Sequence, residues 1–256
     1  DEIFISMHDF TEALKDVKPA FGAATDECKS VQRHGTIDYG PTWQALKRRI
    51  TEEVKQLRLS KLSSMSLLFS GEVGAGKSSL AAFTALTSEF PYVKFISAAP
   101  LVGYSELHKC NVLRKAFDDA YKSPLSVIIL DDIERLIELS QGGARYSNTL
   151  LQTLLVLTKA PPPEGKKLLV IGTTSNRNTL DTLEITSCFD AEIDAPLIPP
   201  SGLSLVSRGL GVTWHTPHEE KLAEECLPEE GVPIKKLILM IEKSTGHDDD
   251  QPGAHD

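Results

Sequence analysis

The sequence predicts an α/β fold in three layers, with a parallel β-sheet covered by helices on both faces and a small helical subdomain after it. Short apolar runs alternate with segments of helical periodicity between residues 42 and 195. The runs are apolar almost throughout, which is typical of parallel strands that are buried on both faces. After the double proline at 199–200 the strand-like runs end, and helical patterns follow.

The first long helix is predicted around residues 42–57. Apolar residues at Trp43, Leu46, Ile50, Val54 and Leu57 recur every three or four positions, as on the buried face of an amphipathic helix. After it we expect strands and helices in turn, with strands over residues 66–70, 92–97, 126–130, 167–173 and 191–195, and helices over residues 77–88, 106–121 and 148–159.

Two helices are predicted in the carboxyl-terminal part of the chain. Thr216 and Glu219 have the spacing of a capping box, and Pro217 stands at the first helical position between them. Residues 232–244 form a second, strongly apolar helical segment. These two segments predict a small helical subdomain beyond the sheet.

The composition narrows the class of protein. The 256 residues are 41% hydrophobic and 25% charged, which is ordinary for a globular protein with a real core. No apolar run is long enough for a membrane span, and the first residues lack the pattern of a signal peptide. The chain starts without methionine, so we expect a fragment of a longer protein. The net charge of −9 disfavours a nucleic-acid partner.

The cysteines are widely separated and form no C-x-x-C pair, so neither a disulfide framework nor a zinc site is predicted. A reduced, cytosolic setting follows from this pattern. The four positions are Cys28, Cys110, Cys188 and Cys226.

A phosphate-binding loop is the strongest motif in the sequence. Residues 71–78, GEVGAGKS, fit G-x-x-x-x-G-K-[ST] between a predicted strand and a predicted helix, which is the context that supports this motif. Glycines let the backbone N–H groups surround phosphate oxygens, the lysine reaches the β- and γ-phosphates, and the serine hydroxyl binds Mg²⁺. We predict that ATP is bound by Gly71, Gly74, Ala75, Gly76, Lys77, Ser78 and Ser79.

An acidic pair follows the third predicted strand. Asp131 and Asp132 come directly after the apolar residues 126–130. A strand that ends in an acid delivers a carboxylate to the metal at the carboxyl edge of a parallel sheet. We therefore predict that Asp131, with Ser78, holds Mg²⁺. The alternative is an acidic turn with no role at the metal.

These motifs and several longer segments resemble one family. Residues 115–138 and 144–175 closely resemble the second ATPase domain of the N-ethylmaleimide-sensitive factor family of vesicle-fusing AAA+ ATPases. Residues 9–14, 17–22 and 234–244 also match. The resemblance runs from about residue 3 to 245 and is weakest at 22–60 and 198–230.

The resemblance implies a P-loop AAA+ fold and a set of partners. Members of the family form hexamers that take SNARE complexes apart, and SNAP adaptors recruit them. The first ATPase domain performs most of the hydrolysis, whereas the second binds ATP tightly, hydrolyses it slowly and holds the hexamer together. The implied location is the cytoplasm, with vesicle and Golgi membranes contacted only through partners.

The patterns along the chain, together with the resemblance, predict how the chain divides. We expect a linker or approach segment over 1–35, with a helix at 9–14, an α/β nucleotide-binding subdomain over 36–197, a helical lid over 198–245, and an acidic, disordered tail over 246–256. The adaptor-binding domain and the first ATPase domain would lie outside this sequence.

Three residues are predicted to act in hydrolysis. Asp132 stands where active AAA+ domains usually carry Glu, and the second domain of the resembled family also has Asp there. Ser175 falls where a polar residue orients the attacking water, although it could instead cap the end of its strand. The resemblance implies that Lys236 is the residue of the lid that senses the γ-phosphate, in place of the usual arginine. The alternative is a solvated lysine.

Two features predict that ATP is bound well and hydrolysed poorly. The carboxylate of Asp132 is one methylene shorter than that of Glu, and a general base needs hydrogen-bond reach. Residues 183–196 contain no arginine, and we assign a finger role to neither Arg177 nor Arg145. Residues 227–231, LPEEG, replace a basic pair of the family, which weakens the expected contribution to a neighbour's nucleotide.

Adenine is expected at residues 35–40, because the corresponding segment of the family presents backbone and an apolar side chain to the base. Ile37, Tyr39 and Gly40 are the candidates. The alternative is an ordinary turn with Ile37 in the core.

Two other sites are discounted. Substrate threading is not expected, because Leu101 stands where AAA+ unfoldases carry a gripping aromatic residue. Tyr104 is interpreted as a packed loop residue rather than a pore residue. Ala75 replaces the alkylated cysteine that gives the family its name, and Cys110 is expected on a buried helix face.

Three other functions fit the sequence less well than the role of a hexamer-holding ATP-binding domain. A fully active ATP-driven remodelling domain is disfavoured by Asp132 and by the missing arginine finger. A DNA-handling AAA+ protein is disfavoured by the acidic charge, and a small-molecule kinase by the acidic strand end and the helical lid.

Overall fold

The computed structural model describes residues 6–9, 23–32, 35–140 and 145–245. In these ranges the chain forms a five-stranded sheet in the order β2-β3-β4-β1-β5, and all of its neighbouring strands are parallel. The predicted parallel α/β fold is therefore confirmed. The strands are β1 (Ser64–Ser70), β2 (Tyr92–Ile96), β3 (Leu125–Leu130), β4 (Lys167–Thr174) and β5 (Ala191–Asp194).

Every helix predicted from residue 42 onwards is present, and four short helices accompany them. The helices are α1 (Ala23–Val31), α2 (Pro41–Leu59), α3 (Lys77–Ser88), α4 (Glu106–Ala120), α5 (Ile133–Leu136), α6 (Asn148–Lys159), α7 (Arg177–Thr182), α8 (Leu203–Gly209), α9 (Pro217–Glu225) and α10 (Ile234–Thr245). The capping box at the start of α9 is present as predicted, with Thr216 and Glu219 each accepting the other's backbone N–H.

Two predicted segments fall largely outside the described residues. They are the helix over 9–14, of which only residue 9 is described, and the tail over 246–256. Sequence reasoning did not predict α1, α5, α7 or α8 individually, because helices of four to nine residues are too short to show a clear apolar period.

The sheet separates two hydrophobic cores, which explains its uninterrupted apolar strands. In β1, Leu67 and Phe69 belong to one core, whereas Leu68 belongs to the other. Both faces of each central strand are thus buried. Each Leu or Ile that is fully buried in this way stabilises the fold by about 1.5–3 kcal/mol.

The carboxyl-terminal helices share one of these cores. Leu203, Val206, Leu237 and Ile241 are buried in the same cluster as Leu67. An isolated antiparallel bridge between Ile198 and Val232 closes the segment that contains α8 and α9. The helical part is therefore packed on the sheet part. Within the described ranges, no helix combines the length and the apolar character needed to cross a bilayer.

The parallel topology brings the predicted motifs to one edge. The phosphate-binding loop follows β1, the acidic pair follows β3, and Ser175 follows β4. Because β3, β4 and β1 are adjacent in the sheet, the carboxyl ends of all three lie side by side. This edge is where open α/β sheets bind ligands.

Candidate nucleotide site

The phosphate-binding loop has a backbone that requires glycine. Gly71 has φ 143°, and a Cβ atom there would lie 2.8 Å from the carbonyl oxygen of Ala195. Gly76 has φ 92° and immediately precedes α3. The loop therefore delivers the amino terminus of α3, with its unpaired N–H groups, to the edge of the sheet.

Lys77 lies inside the loop that it is predicted to serve. The side chain is buried, and Nζ donates hydrogen bonds to the carbonyl oxygens of Gly71, at 3.0 Å, and Glu72, at 2.7 Å. Burial lowers the pKa of Lys77, while the nearby carboxylates of Asp132, Glu134 and Asp131 act in the opposite direction. The ammonium group is thus held at the phosphate-binding position by acceptors that phosphate oxygens can replace.

Asp131 and Ser78 are brought together, as predicted for a magnesium site. Ser78 lies close enough to the Asp131 carboxylate to lower its pKa. The Thr173 hydroxyl donates to Oδ1 of Asp131 at 2.9 Å. Burial raises the pKa of Asp131, and the neighbouring hydroxyl groups of Ser78 and Thr173 oppose the shift. One carboxylate and one hydroxyl suit Mg²⁺, which keeps several waters and is otherwise held by substrate phosphates.

Asp132 immediately precedes the short helix α5 and has a left-handed backbone conformation. Its backbone has φ 51° and ψ 67°, and its N–H donates to the Thr173 hydroxyl at 2.8 Å. Its Oδ2 lies 3.6 Å from Nε of the exposed Arg135. Thr173 therefore fixes both members of the acidic pair through a single hydroxyl group.

Ser175 directly follows β4, and its backbone is fixed by a carboxylate that the sequence motifs do not include. The Ser175 N–H donates to Oε1 of Glu134 at 2.7 Å. Sequence reasoning missed Glu134 and Thr173. Thr173 lies beside Asp131 because Leu130 pairs with Gly172 in the parallel register, which makes the next residues of both strands neighbours.

Helix α10 meets the phosphate-binding loop through its first residues. The backbone N–H of Lys235 donates to the carbonyl oxygen of Gly74 at 3.0 Å. A Cβ atom at Gly76 would lie 3.1 Å from the Ile234 side chain. Lys236 is the next residue of the helix, and it is exposed.

The predicted adenine segment is packed into the core. Ile37 and Tyr39 are both buried, and the Tyr39 ring lies 5.7 Å from the ring of Trp43. Burial raises the pKa of Tyr39 to about 12. Ile37 contacts α8 so closely that a Cβ atom at Gly209 would lie 2.8 Å from it. A contact with adenine would therefore come mainly from the backbone that ends at Gly40.

The remaining candidates lie apart from the phosphate loop. Arg177 is paired with Glu192, its Nε lying 2.8 Å from Oε1, and Arg145 is exposed. Cys110 is buried on α4, as expected. The interpretation of Tyr104 as a packed loop residue is wrong: its side chain is 52% exposed, because the loop turns it outward against His108 at 4.4 Å between ring centroids.

The parallel sheet, the phosphate-binding loop after β1 and the acid after β3 define a P-loop nucleotide-binding domain. The family model described as "ATPase family associated with various cellular activities (AAA)" matches residues 67–197, and the chain belongs to this family of ATPases.

Three relatives are similar to this chain over almost its whole length. A vesicle-fusing ATPase of Arabidopsis thaliana is 41% identical over 94% of this chain and 32% of its own length. A vesicle-fusing ATPase of Dictyostelium discoideum is 40% identical over the same shares. The vesicular-fusion protein SEC18 of Saccharomyces cerevisiae is 36% identical over 96% of this chain and 33% of its own length. The resemblance to vesicle-fusing ATPases is confirmed, and the chain spans about a third of these relatives.

Proposed function

We propose that this chain is the ATP-binding, hexamer-holding domain of a vesicle-fusing ATPase and that it hydrolyses ATP slowly. The observation that carries the proposal is the phosphate loop, with Lys77 buried inside it and an aspartate, Asp132, at the position of the water-activating acid. We expect a site of this kind to keep ATP bound and to hydrolyse it slowly.

In this proposal each residue has a defined task. The loop from Gly71 to Ser79 and the ammonium of Lys77 bind the phosphates of ATP. Ser78 and Asp131 hold Mg²⁺, which neutralises charge on the phosphates. Asp132 takes a proton from the attacking water, Ser175 orients that water, and Lys236 senses the γ-phosphate from the lid.

Slow hydrolysis is supported by two properties of the described site. The carboxylate of Asp132 is short, and its Oδ2 is directed at Arg135 at 3.6 Å. Arg177, the arginine closest in sequence to the segment where a finger is expected, is paired with Glu192 of the same chain. An arginine finger contributes about 10³–10⁵-fold to phosphoryl transfer, so its absence would leave a weak ATPase.

The wider role follows from the vesicle-fusing relatives. We propose a lid that begins near residue 198, a homo-hexamer, and contacts with SNAP adaptors and SNARE complexes through the full-length protein. The location would be the cytoplasm, peripheral to vesicle and Golgi membranes, with no role in nucleic-acid binding.

The solution mass with and without Mg-ATP tests this proposal. Light scattering is expected to show a hexamer that forms or tightens with Mg-ATP, and the Lys77→Ala variant is expected to lose that response. A wild-type chain that stays monomeric under both conditions would contradict autonomous assembly. Rapid steady-state turnover would instead favour the alternative, a fully active remodelling domain.

A further inference from the structure

Glu134 has one carboxylate oxygen that the protein satisfies and one that it does not. Oε1 accepts the Ser175 N–H at 2.7 Å. Oε2 has less than 1 Å² of exposed surface, and the described part of the chain offers it no hydrogen-bond donor. The two oxygens of one side chain therefore have different surroundings.

A buried carboxylate oxygen without a donor is costly, by about 1–3 kcal/mol or more. Proteins usually meet such a requirement with an ordered water molecule, which can serve a polar site almost as well as a direct partner. The water would lie inside the nucleotide site, because Glu134 is one of the carboxylates whose charge acts on Lys77.

The position of Glu134 links the parts of the site that act on water. It lies on α5, two residues after Asp132, and it fixes the backbone of Ser175 on the neighbouring strand end. Glu134 therefore joins the segment that follows β3 to the segment that follows β4.

From this geometry we infer that Glu134 is a positioning residue for ATP hydrolysis: Oε1 fixes Ser175, and Oε2 holds the attacking water. The inference rests on the proposed function. The water oxygen forms the new bond to the γ-phosphorus, the bond to the β–γ bridging oxygen breaks, and ADP leaves. The proton of the water passes to Asp132, and Glu134 only accepts a hydrogen bond.

Two substitutions separate this role from a purely structural one. Glu134→Gln keeps an oxygen that can accept the Ser175 N–H, but it replaces the second acceptor with an NH₂ donor. Glu134→Ala removes both acceptors. Glu138→Gln, which removes a charge that pairs with Lys109 away from the site, is the matched control.

The measurement is single-turnover hydrolysis of radiolabelled ATP, together with the equilibrium Kd for ATP. We expect Glu134→Gln and Glu134→Ala to slow hydrolysis by about 10- to 100-fold, with the Kd for ATP within about twofold of wild type. Glu138→Gln should hydrolyse ATP like wild type. Near-ultraviolet circular dichroism checks that each variant is folded.

Three results would be decisive against the inference or its basis. If Glu134→Gln hydrolyses ATP like wild type while Glu134→Ala is slow, the inference is overturned. Only the hydrogen bond to the Ser175 N–H would then affect hydrolysis. Wild-type turnover no faster than that of Lys77→Ala overturns it as well, but leaves ATP binding intact. Failure of the wild type to bind ATP would instead overturn the proposed function.

Discussion

The backbone conformation and the proposed chemistry at Asp132 favour side chains of different length. Its left-handed backbone, φ 51°, costs L-residues about 1–2 kcal/mol, and Asp and Asn tolerate it better than residues with longer side chains. Its carboxylate must also reach the attacking water. The backbone therefore favours a short side chain where the chemistry would favour a longer one.

Extending this side chain should consequently cost stability. Asp132→Glu is expected to lower the free energy of unfolding by about 1 kcal/mol, measured by urea denaturation. Asp132→Asn, which keeps the short side chain, should stay within about 0.5 kcal/mol of wild type and lose the residual turnover. Equal stability of the Glu and Asn variants would show that the backbone does not select the residue here.

Asp131 is expected to destabilise the protein in the absence of metal and nucleotide. Its pKa is raised by burial, so it binds its proton more tightly in the folded state than in the unfolded one. The stability that it contributes is present below its ordinary pKa of 3.8 and is lost as the pH rises through the raised value.

Asp131→Asn should therefore melt a few degrees above wild type at pH 7 without Mg²⁺, at about 2–4 °C per kcal/mol. The difference should shrink as the pH falls towards 4, while ATP turnover is lost at every pH. Thermal unfolding followed by circular dichroism at pH 7, 5 and 4 measures it. A variant that melts below wild type at pH 7 would contradict the sign of this effect.

The candidate site could be predicted from the sequence only where a motif fixes the spacing. Lys77, Ser78 and Asp131 lie near one another because a loop and a strand end constrain them, while their roles at ATP and Mg²⁺ stay predictions. Glu134 and Thr173 were missed because their roles arise from contacts between strands β3 and β4 and the short helix α5. No local pattern along the chain encodes such contacts.

At the scale of the elements, the carboxyl terminus of α2 is contacted by a lysine from another part of the chain. Nζ of Lys167, the first residue of β4, donates to the carbonyl oxygens of Leu57, Arg58 and Ser60 at 2.6–3.1 Å. The last carbonyl groups of a helix lack partners within it and carry partial negative charge. A single ammonium group thus satisfies the end of α2 and joins it to the sheet.

Lys167→Met should lower the free energy of unfolding by about 1–3 kcal/mol, measured by chemical denaturation. Lys166→Met is the matched control, because Nζ of Lys166 makes one exposed contact, with the carbonyl oxygen of Lys122. That variant should change stability by less than about 0.5 kcal/mol. Equal effects of the two substitutions would refute a specific role for Lys167 at the end of the helix.

The predictability of the elements follows from their length and burial. The five strands were found within about two residues because both faces of the sheet are buried and their sequences are continuously apolar. Helix α8 was not found separately, because its position depends on tertiary contacts such as that of Gly209 with Ile37. Seven residues give too little periodicity to reveal such a helix.

For the whole molecule, the shared core predicts that the sheet and the carboxyl-terminal helices unfold together. Trp43 is buried in this core, and Trp214 packs against the same core from the segment after α8. Trp43→Phe and Trp214→Phe each leave one reporter, so the two fluorescence transitions in urea should have the same midpoint, as expected of a two-state domain. Midpoints that separate would mean that the helical part unfolds on its own.

The hydrogen bond from the Lys235 N–H to the Gly74 carbonyl oxygen attaches the start of α10 to the phosphate-binding loop. The helix has 12 residues, so it extends about 18 Å from that contact. A movement of the phosphate-binding loop would therefore also shift the start of α10, and the core around Leu237 and Ile241 would have to adjust with it.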